Sequence, residues 1–245
     1  MSGVGGQVLH QDARPGLAYG VEWERGLDLL AREGAAVLVH GTATEDRRVT
    51  SEAVFAALGI AAARNVPPLG AGELAFVPTE VLLPGLKRLL DVRRAVGLRN
   101  PAHSLVKLMN PCEGRALIVG SYTHPEYAVS MAETFALTGA HALLLRGTEG
   151  EPVADARRTP QMEAFRDGQR HLLQAAQDGP LASLPDLPRD VDAASTAAYI
   201  RSVLDGERPV PAPIALQVEH ILREVQRQPT TQTAETTAVP AISPP

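Results

Sequence analysis

Residues 115–146, RALIVGSYTHPEYAVSMAETFALTGAHALLLR, decide the fold of this chain. Arg115 to Ser121 is a short apolar run of the kind that forms a buried strand. His124-Pro125 opens a helix that Gly139 ends, and His141 to Leu145 is a second apolar run. A strand, a helix and a strand at this spacing predict a parallel pair of strands with a crossover helix.

The same alternation extends along the chain in both directions. Helices are predicted over Val21–Glu33, Glu52–Leu58, Ala102–Met109, Ala193–Leu204 and Ile214–Val225. A further long helix is predicted from its cap at Thr79 to about Val96, with an interruption near Pro84-Gly85. Strands are predicted over Ala35–Val39 and Leu74–Val77. The segment Met162–Ala176 fits either a helix or a strand-and-loop region. The predicted fold class is α/β, a mainly parallel sheet with helices on both faces.

Three regions of different composition divide the chain. Residues 1–20 are rich in glycine and lack apolar periodicity, which predicts a disordered or irregular N-terminus. Residues 21–227 are predicted to form one α/β domain with C-terminal helices. Residues 228–245 contain few large apolar side chains and are predicted to be a disordered tail.

The composition excludes several classes of protein. With 44% hydrophobic and 21% charged residues, the 245-residue chain is typical of a globular protein. It has no apolar run of about 20 residues and no signal peptide, so we expect a cytoplasmic protein without membrane association. The single cysteine, Cys112, excludes an internal disulfide. Because the net charge is −5, any binding of nucleic acid must rely on a local basic patch.

Such a patch lies between residues 87 and 115. Against two acidic residues, Asp91 and Glu113, this segment carries seven basic ones: Lys87, Arg88, Arg93, Arg94, Arg99, Lys107 and Arg115. We therefore expect an anion-binding surface here. The alternative is a solvated helix face with one arginine capping a helix.

Polar loops are predicted at one edge of the sheet, where open α/β sheets bind ligands. They are His40-Gly41-Thr42, Arg99-Asn100 with His103, and Arg146-Gly147-Thr148-Glu149. Arginines at such an edge suit phosphate, although turn formation alone also favours glycine and threonine there. Glu149, Glu151 and Asp155 could hold Mg²⁺, but Pro152 interrupts this cluster and a solvated loop is favoured. No metal site and no nucleophilic triad is predicted.

Several of these segments resemble one family. His40-Gly41, VTSEAVFAALGI (49–60), LLDVRRAVGLRN (89–100), LMNP (108–111) and THPEYAVSMAETFALTGAHALLLRG (123–147) resemble the anthranilate phosphoribosyltransferase superfamily, glycosyltransferase family 3. RNPAHSLVKLMNP (99–111) followed by LLLRGTEGEPVAD (143–155) is similar to its YbiB-like subgroup. The resemblance implies a fold like the C-terminal domain of nucleoside phosphorylases and phosphoribosyltransferases. The subgroup implies non-specific binding of nucleic acid without detected transferase activity.

Departures from the family pattern bear on activity. The glycine-rich loop that holds pyrophosphate in the enzymes has no counterpart before His40, and their KHGN motif is reduced to residues 39–42, VHGT. Leu83 stands where the enzymes place a histidine, whereas Arg93 corresponds to their anthranilate-contacting arginine. His103 and Val106 replace an asparagine and a glycine. The magnesium-binding Asp-Glu pair becomes Glu151-Pro152, and a proline side chain cannot ligate a metal.

The resemblance also concerns the N-terminal end of the protein. The family begins with a small helical domain that forms the dimer, and residues 1–20 are too few and too glycine-rich to supply it. We expect this N-terminal helical domain to be largely missing. The resemblance therefore leaves a homodimer open.

These observations predict a catalytically degenerate protein, without catalytic residues, that binds DNA or RNA non-specifically through phosphate contacts. The predicted phosphate-binding residues are Lys87, Arg88, Arg93, Arg94, Arg99 and Lys107. The vestigial substrate cleft comprises His40, Gly41, Thr42, Arg93, His103, Arg146 and Glu151. The alternative is an active enzyme that transfers a phosphoribosyl group from phosphoribosyl pyrophosphate to an unknown acceptor, in which case alone Mg²⁺ is expected as a cofactor.

Overall fold

The structure is a computed structural model that describes residues 7–11, 23–44, 49–112, 116–147, 151–181, 185–188, 190 and 192–227. The expected C-terminal tail, residues 1–6 and 12–20 of the N-terminal segment, and Arg115, Thr148 and Glu149 lie outside the described residues. Within the described part of the chain, no helix is long and apolar enough to cross a bilayer.

Strands and helices alternate through the first two thirds of the chain. The strands are β1 (Gln7–Gln11), β2 (Val37–Gly41), β3 (Leu74–Pro78), β4 (Leu117–Tyr122), β5 (Ala142–Arg146), β6 (Met162–Arg166) and β7 (Gln169–Gln174). The helices are α1 (Trp23–Arg32), α2 (Ser51–Leu58), α3 (Thr79–Leu82), α4 (Pro84–Val96), α5 (Ala102–Leu105), α6 (Pro125–Thr138), α7 (Ala193–Leu204) and α8 (Ala212–Gln226), and a 3₁₀ turn at Val106–Leu108 follows α5.

The strands form one sheet in the order β3-β2-β1-β4-β5-β6-β7. The pairs from β3 through β5 are parallel, whereas β6 and β7 are antiparallel additions at one side. The predicted mainly parallel sheet is therefore confirmed. The antiparallel edge is a common variation in sheets of this kind.

The N-terminal strand corrects one prediction. Gln7–Gln11 pairs in parallel with β2 on one side and with β4 on the other, so it is the central strand of the parallel part. The expectation of an irregular segment over residues 1–20 is wrong for these five residues. A central strand is hydrogen-bonded along both edges of its backbone, so a segment flanked by glycines can be held there without a long apolar run.

Both faces of the sheet are covered, as the apolar runs predict. On one face, Leu143 and Leu145 of β5 pack into a core that includes Leu27 of α1 and Val218 of α8. On the other face, Leu144 packs with side chains of α6, including Met131 and Phe135. A strand that alternates between two apolar layers reads as a continuous hydrophobic run, which explains the sequence of β5.

The segment Met162–Ala176 is a hairpin, which decides between the two alternatives left open by its sequence. Asp167 and Gly168 join β6 to β7 with φ angles of 49° and 76°. Two positive φ values suit a two-residue hairpin turn, and Asp-Gly is a preferred sequence for it.

Candidate ligand site at the carboxyl edge of the sheet

The strand order indicates where a ligand crevice is expected, at the carboxyl ends of the parallel strands. From β1 the chain moves outward through β2 to β3, then crosses to β4 and continues to β5 on the other side. The direction therefore reverses between β1 and β4, which is where open α/β sheets bind ligands. A predicted cleft residue can contact a ligand bound there only if it lies near the carboxyl ends of β1 and β4.

His40 lies near the carboxyl end of β2 and is almost completely buried. Burial lowers the pKa of its imidazole from 6.5 to about 3. The ring is therefore neutral at physiological pH and cannot act as a cationic partner for phosphate.

This buried histidine predicts a pH-dependent stability. Between its unfolded pKa of 6.5 and its folded pKa of about 3, only the unfolded chain binds the proton. Stability therefore falls as the pH falls, by about 1.4 kcal/mol per unit for this one group. We expect a loss of about 1.6 kcal/mol between pH 6.5 and 5.0, measured by urea denaturation, and a shallower slope for His40→Gln.

A second histidine provides the control for this measurement. Burial and, secondarily, the charge of Arg223 lower the pKa of His220. His220 therefore also lowers the stability of the folded protein as the pH falls below 6.5, but its side chain is less deeply buried than that of His40. His220→Gln should therefore flatten the pH dependence less than His40→Gln does. Equal slopes in the native protein and the His40 variant would contradict the assignment.

Two arginines of α4 reach the loop that follows β2. Arg93 donates to the hydroxyl of Thr44 across 3.5 Å, and Arg94 donates to the carbonyl of Ala43 across 3.3 Å. Arg93 lies one turn beyond the buried Leu90, so its stem is half-buried while its guanidinium points to the sheet edge. The structure thus brings Arg93 and Arg94 to Ala43 and Thr44, just beyond the predicted His40-Gly41-Thr42 loop, of which His40 and Gly41 belong to β2.

The other basic residues of the segment differ in their exposure and in their ion pairs. Lys87 pairs with Asp91 at 2.5 Å, and Arg94 lies 3.7 Å from the same carboxylate. Arg88 and Arg99 are exposed, and Lys107 in the 3₁₀ turn is half-buried. Asp91 therefore offsets part of the positive charge along α4.

His103 is buried at the start of α5, and its ring contacts the turn between α4 and α5. Its Nδ1 lies 3.2 Å from the carbonyl oxygen of Asn100 and 3.3 Å from the backbone nitrogen of that residue. The Asn100 side chain donates to the carbonyl of Leu89 and accepts from the backbone of Ala102. The predicted Arg99-Asn100 loop is therefore a turn between helices and does not follow a strand.

The loop after β5 is tightly packed at its start. The backbone of Gly147 donates to the carbonyl of Tyr122 across 3.0 Å. A Cβ at Gly147 would lie 2.6 Å from the Cβ of Ser121 and 2.0 Å from the carbonyl oxygen of Glu151. Only glycine fits this position. Glu151 itself is 2% exposed, so its side chain does not line an open cleft.

The residues of this loop do not fit a magnesium site. Glu151 is buried and Pro152 offers no ligand, while Asp155 is bound by Arg157 through two contacts of 2.9 and 2.7 Å. Burial alone would raise the pKa of Asp155, but its hydrogen bonds with Arg157 lower the pKa overall. Among the residues that the structure describes, no group of three or more His, Cys, Asp or Glu could hold a metal.

The predicted cleft residues therefore occupy two separate parts of the edge. His40 lies at the end of β2 and Arg146 at the end of β5, with β1 and β4 between them. Three strand spacings of about 4.8 Å separate these ends by about 14 Å. Arg93 belongs with the first group and Glu151 with the second.

The sequence interpretation missed one residue that shapes this edge. The buried side chain of Gln217 in α8 accepts from the backbone of Ala154 and donates to the carbonyl of Pro152, each across 2.8 Å. A glutamine at a core position of the apolar run IALQV is the available signal, since buried amides require partners. Its partner, the loop after β5, could not be identified from sequence.

Comparison with known proteins supplies the family. The chain is 36% identical over 201 residues to "uncharacterized protein YbiB" of Escherichia coli (strain K12), which covers 78% of this chain and 60% of that protein. It is 29% identical over 191 residues to anthranilate phosphoribosyltransferase of Symbiobacterium thermophilum, which covers 73% of this chain and 54% of the enzyme. The chain belongs to the anthranilate phosphoribosyltransferase superfamily.

The fold agrees with this assignment. Anthranilate phosphoribosyltransferase from Saccharomyces cerevisiae, in complex with PRPP and Mg, matches 90% of this chain and 64% of the enzyme with a TM-score of 0.61 at 11% identity. No protein-family model matches the chain. This superfamily member spans 60% of YbiB and 54% of the Symbiobacterium enzyme, so a large part of each relative has no counterpart in the match.

Proposed function

We propose that this member of the superfamily binds nucleic acid without sequence preference, through phosphate contacts, and has lost phosphoribosyl transfer. The observation that carries the proposal is the set of exposed arginines at α4 and the turn after it, Arg88, Arg94 and Arg99. Between Lys87 and Lys107, Asp91 is the only carboxylate. Guanidinium groups bind phosphate oxygens through paired hydrogen bonds, which suits a phosphate backbone.

The loss of transfer is supported by the loop after β5. Phosphoribosyl transfer requires the charge of the departing pyrophosphate to be stabilised, and losing one such stabilising group typically costs about 2.7–4 kcal/mol. Glu151 is buried and Pro152 has its carbonyl bound by Gln217. Neither residue offers a carboxylate to a ligand.

The proposal is tested by the salt dependence of binding. For a labelled single-stranded oligonucleotide, we expect fluorescence anisotropy to give log Kd a slope of about 0.7 per contacted phosphate against log salt concentration. Arg88→Ala combined with Arg99→Ala should lower that slope by about 1.4, because two contacts are removed. Arg88 and Arg99 are chosen because both are exposed, one on α4 and the other in the turn after it.

A charge-matched variant separates local contacts from net charge. Arg64 and Arg223 are exposed and lie outside the basic segment. Arg64→Ala combined with Arg223→Ala changes the net charge equally and should leave the slope unchanged. The same slope in the native protein and in the Arg88/Arg99 variant, or no binding at low salt, would overturn the proposal.

One observation favours a second candidate, a transferase with an altered acceptor. Arg93 reaches the carboxyl edge of β2, close to the crevice of the fold, and the yeast enzyme of the same fold was solved with PRPP and Mg. Calorimetric titration with phosphoribosyl pyrophosphate and Mg²⁺ distinguishes the two candidates. Saturable heat with phosphoribosyl pyrophosphate and Mg²⁺, together with salt-independent oligonucleotide binding, would favour the transferase.

A further inference from the structure

The sheet ends on one side in a strand with an unpaired outer edge. β7 pairs with β6, and among the residues that the structure describes no strand pairs with the other edge of β7. The opposite end of the sheet differs, because the backbone of Ala63 donates to the carbonyl of Phe76 in β3 across 2.8 Å. An unpaired edge is a template for another strand unless its side chains prevent pairing.

The side chains of β7 do not protect this edge. The strand, QRHLLQ, contains neither proline nor lysine, which are the usual protecting residues. Its one permanent charge, Arg170, contacts the buried carboxylate of Glu163 in β6 through three hydrogen bonds of 2.9, 2.6 and 2.8 Å. Leu172, two residues further along the strand, is 61% exposed. The edge therefore combines an exposed leucine with an arginine whose charge is already matched within the sheet.

The turn before β7 determines which of its backbone groups face outward. Because the turn has two residues, hydrogen bonding to β6 is expected to begin at Gln169 and to alternate along the strand. The N–H and C=O groups of Gln169 and His171 are then directed to β6, whereas those of Arg170 and Leu172 face outward. A pairing strand must place its own outward-facing residues opposite these two.

A second copy of β7 meets this requirement. When the two strands run antiparallel with His171 on the two-fold axis, Arg170 of each copy lies opposite Leu172 of the other. Four outward-facing N–H groups and four C=O groups then belong to hydrogen-bonded pairs. The exposed leucine packs against the aliphatic stem of the opposite arginine, and no two arginines stand directly opposite each other. The two imidazoles on the axis can share one hydrogen bond.

We propose that two copies of this chain associate through their β7 strands and so join their sheets into one continuous antiparallel contact. The resemblance assigns dimer formation in the family to an N-terminal helical domain, so this interface uses a different surface. β7 has six residues, and the contact is accordingly small. The dimer is therefore expected to dissociate in the micromolar range.

Analytical ultracentrifugation of the full chain tests the proposal. Between about 1 and 100 µM, we expect the average mass of the native protein to rise from monomer towards dimer. Leu172→Pro removes an outward-facing N–H and should raise the dimer dissociation constant at least about tenfold. Leu172→Ala keeps that N–H and should have a smaller effect. Urea denaturation of both variants checks that the monomer remains folded.

A disulfide experiment tests the register without perturbing the fold. In a Cys112→Ser background, His171→Cys places two thiols on the axis, where the Cα atoms of opposite residues lie about 4.5 Å apart, within the range of a disulfide. Mild oxidation should therefore give a covalent dimer. Gln169→Cys is the matched control on the same face of β7. Its two copies would lie about 14 Å apart along the strands, too far for a disulfide.

Three outcomes would overturn the β7 proposal. They are a native protein that stays monomeric up to about 100 µM, a folded Leu172→Pro variant that dimerises as tightly as the native protein, and equal crosslinking of His171→Cys and Gln169→Cys. The basic segment follows β3, at the opposite end of the sheet. Leu172→Pro should therefore keep the native salt slope with a short oligonucleotide, so the dimer and nucleic-acid proposals can fail separately.

Discussion

Replacing Glu224 with glutamine is expected to lower the free energy of unfolding by about 3 kcal/mol. Glu224 is 2% exposed, and its carboxylate lies 2.8 Å from Arg166, 3.1 Å from Arg227 and 3.5 Å from His141. These groups join α8 to the end of β6 and the residue before β5. Without the carboxylate, Arg166 loses its charged partner while remaining mostly buried.

The expected size lies at the lower end of the range for breaking a buried ion pair, about 3–5 kcal/mol, because the Arg227 side chain is 54% exposed and keeps access to water. Nη2 of Arg166 donates to the carboxylate across 3.3 Å, while its Nε lies close without hydrogen-bond alignment. Much of the attraction is therefore charge–charge and should be lost on neutralisation.

The measurement is urea denaturation of the native protein and of Glu224→Gln, compared with a control variant on the same helix and with a double variant that removes both charges. Glu219 pairs with Arg223 at the surface, so Glu219→Gln should change stability by less than about 1 kcal/mol. Glu224→Leu combined with Arg166→Met should recover part of the loss, because neither charge is then buried alone. Equal midpoints for Glu224→Gln and Glu219→Gln would contradict the assignment.

The parts of the fold that could be predicted are those determined by local sequence. The apolar runs of β4 and β5 and the helix between them were placed within two residues of their bounds, and Gly139 ends that helix with a φ of 64°. Here burial, helix periodicity and a left-handed glycine all favour the same structure. By contrast, β1 depends on its two neighbouring strands, which are distant in sequence.

The candidate site was predictable only in part for the same reason. Its residue types and their place at strand ends follow from the sequence, but their partners do not. Arg93 binds a hydroxyl 49 residues away, and the loop after β5 is held by Gln217, 63 residues beyond Ala154. The sequence also did not show that β1 and β4 separate His40 from Arg146. Such distances depend on the order of strands in the sheet.

The largest effect expected near the site comes from Gln217→Leu, which should lower the free energy of unfolding by about 2–4 kcal/mol. Leucine can neither accept from the backbone of Ala154 nor donate to the carbonyl of Pro152. Both contacts are buried, so each backbone group would lose its partner without gaining water, at about 1–3 kcal/mol each. The loop after β5 would then loosen from α8.

Two further variants make this prediction specific. Gln217→Glu keeps the acceptor for Ala154 but loses the donor to Pro152, so its stability should lie below that of the native protein. Gln226→Leu is the control, because Gln226 is exposed at the end of α8 and should change stability by less than about 0.5 kcal/mol.

Hydrogen exchange adds a local test of the same contact. The backbone amide of Ala154 should exchange faster in Gln217→Leu than expected from the loss of global stability alone, because its acceptor is gone. If protection at Ala154 fell only in proportion to global stability, Gln217 would be a packing residue and the loop would be held by other contacts. Selective loss would instead show that Gln217 of α8 holds the backbone at Pro152 and Ala154, next to the buried Glu151.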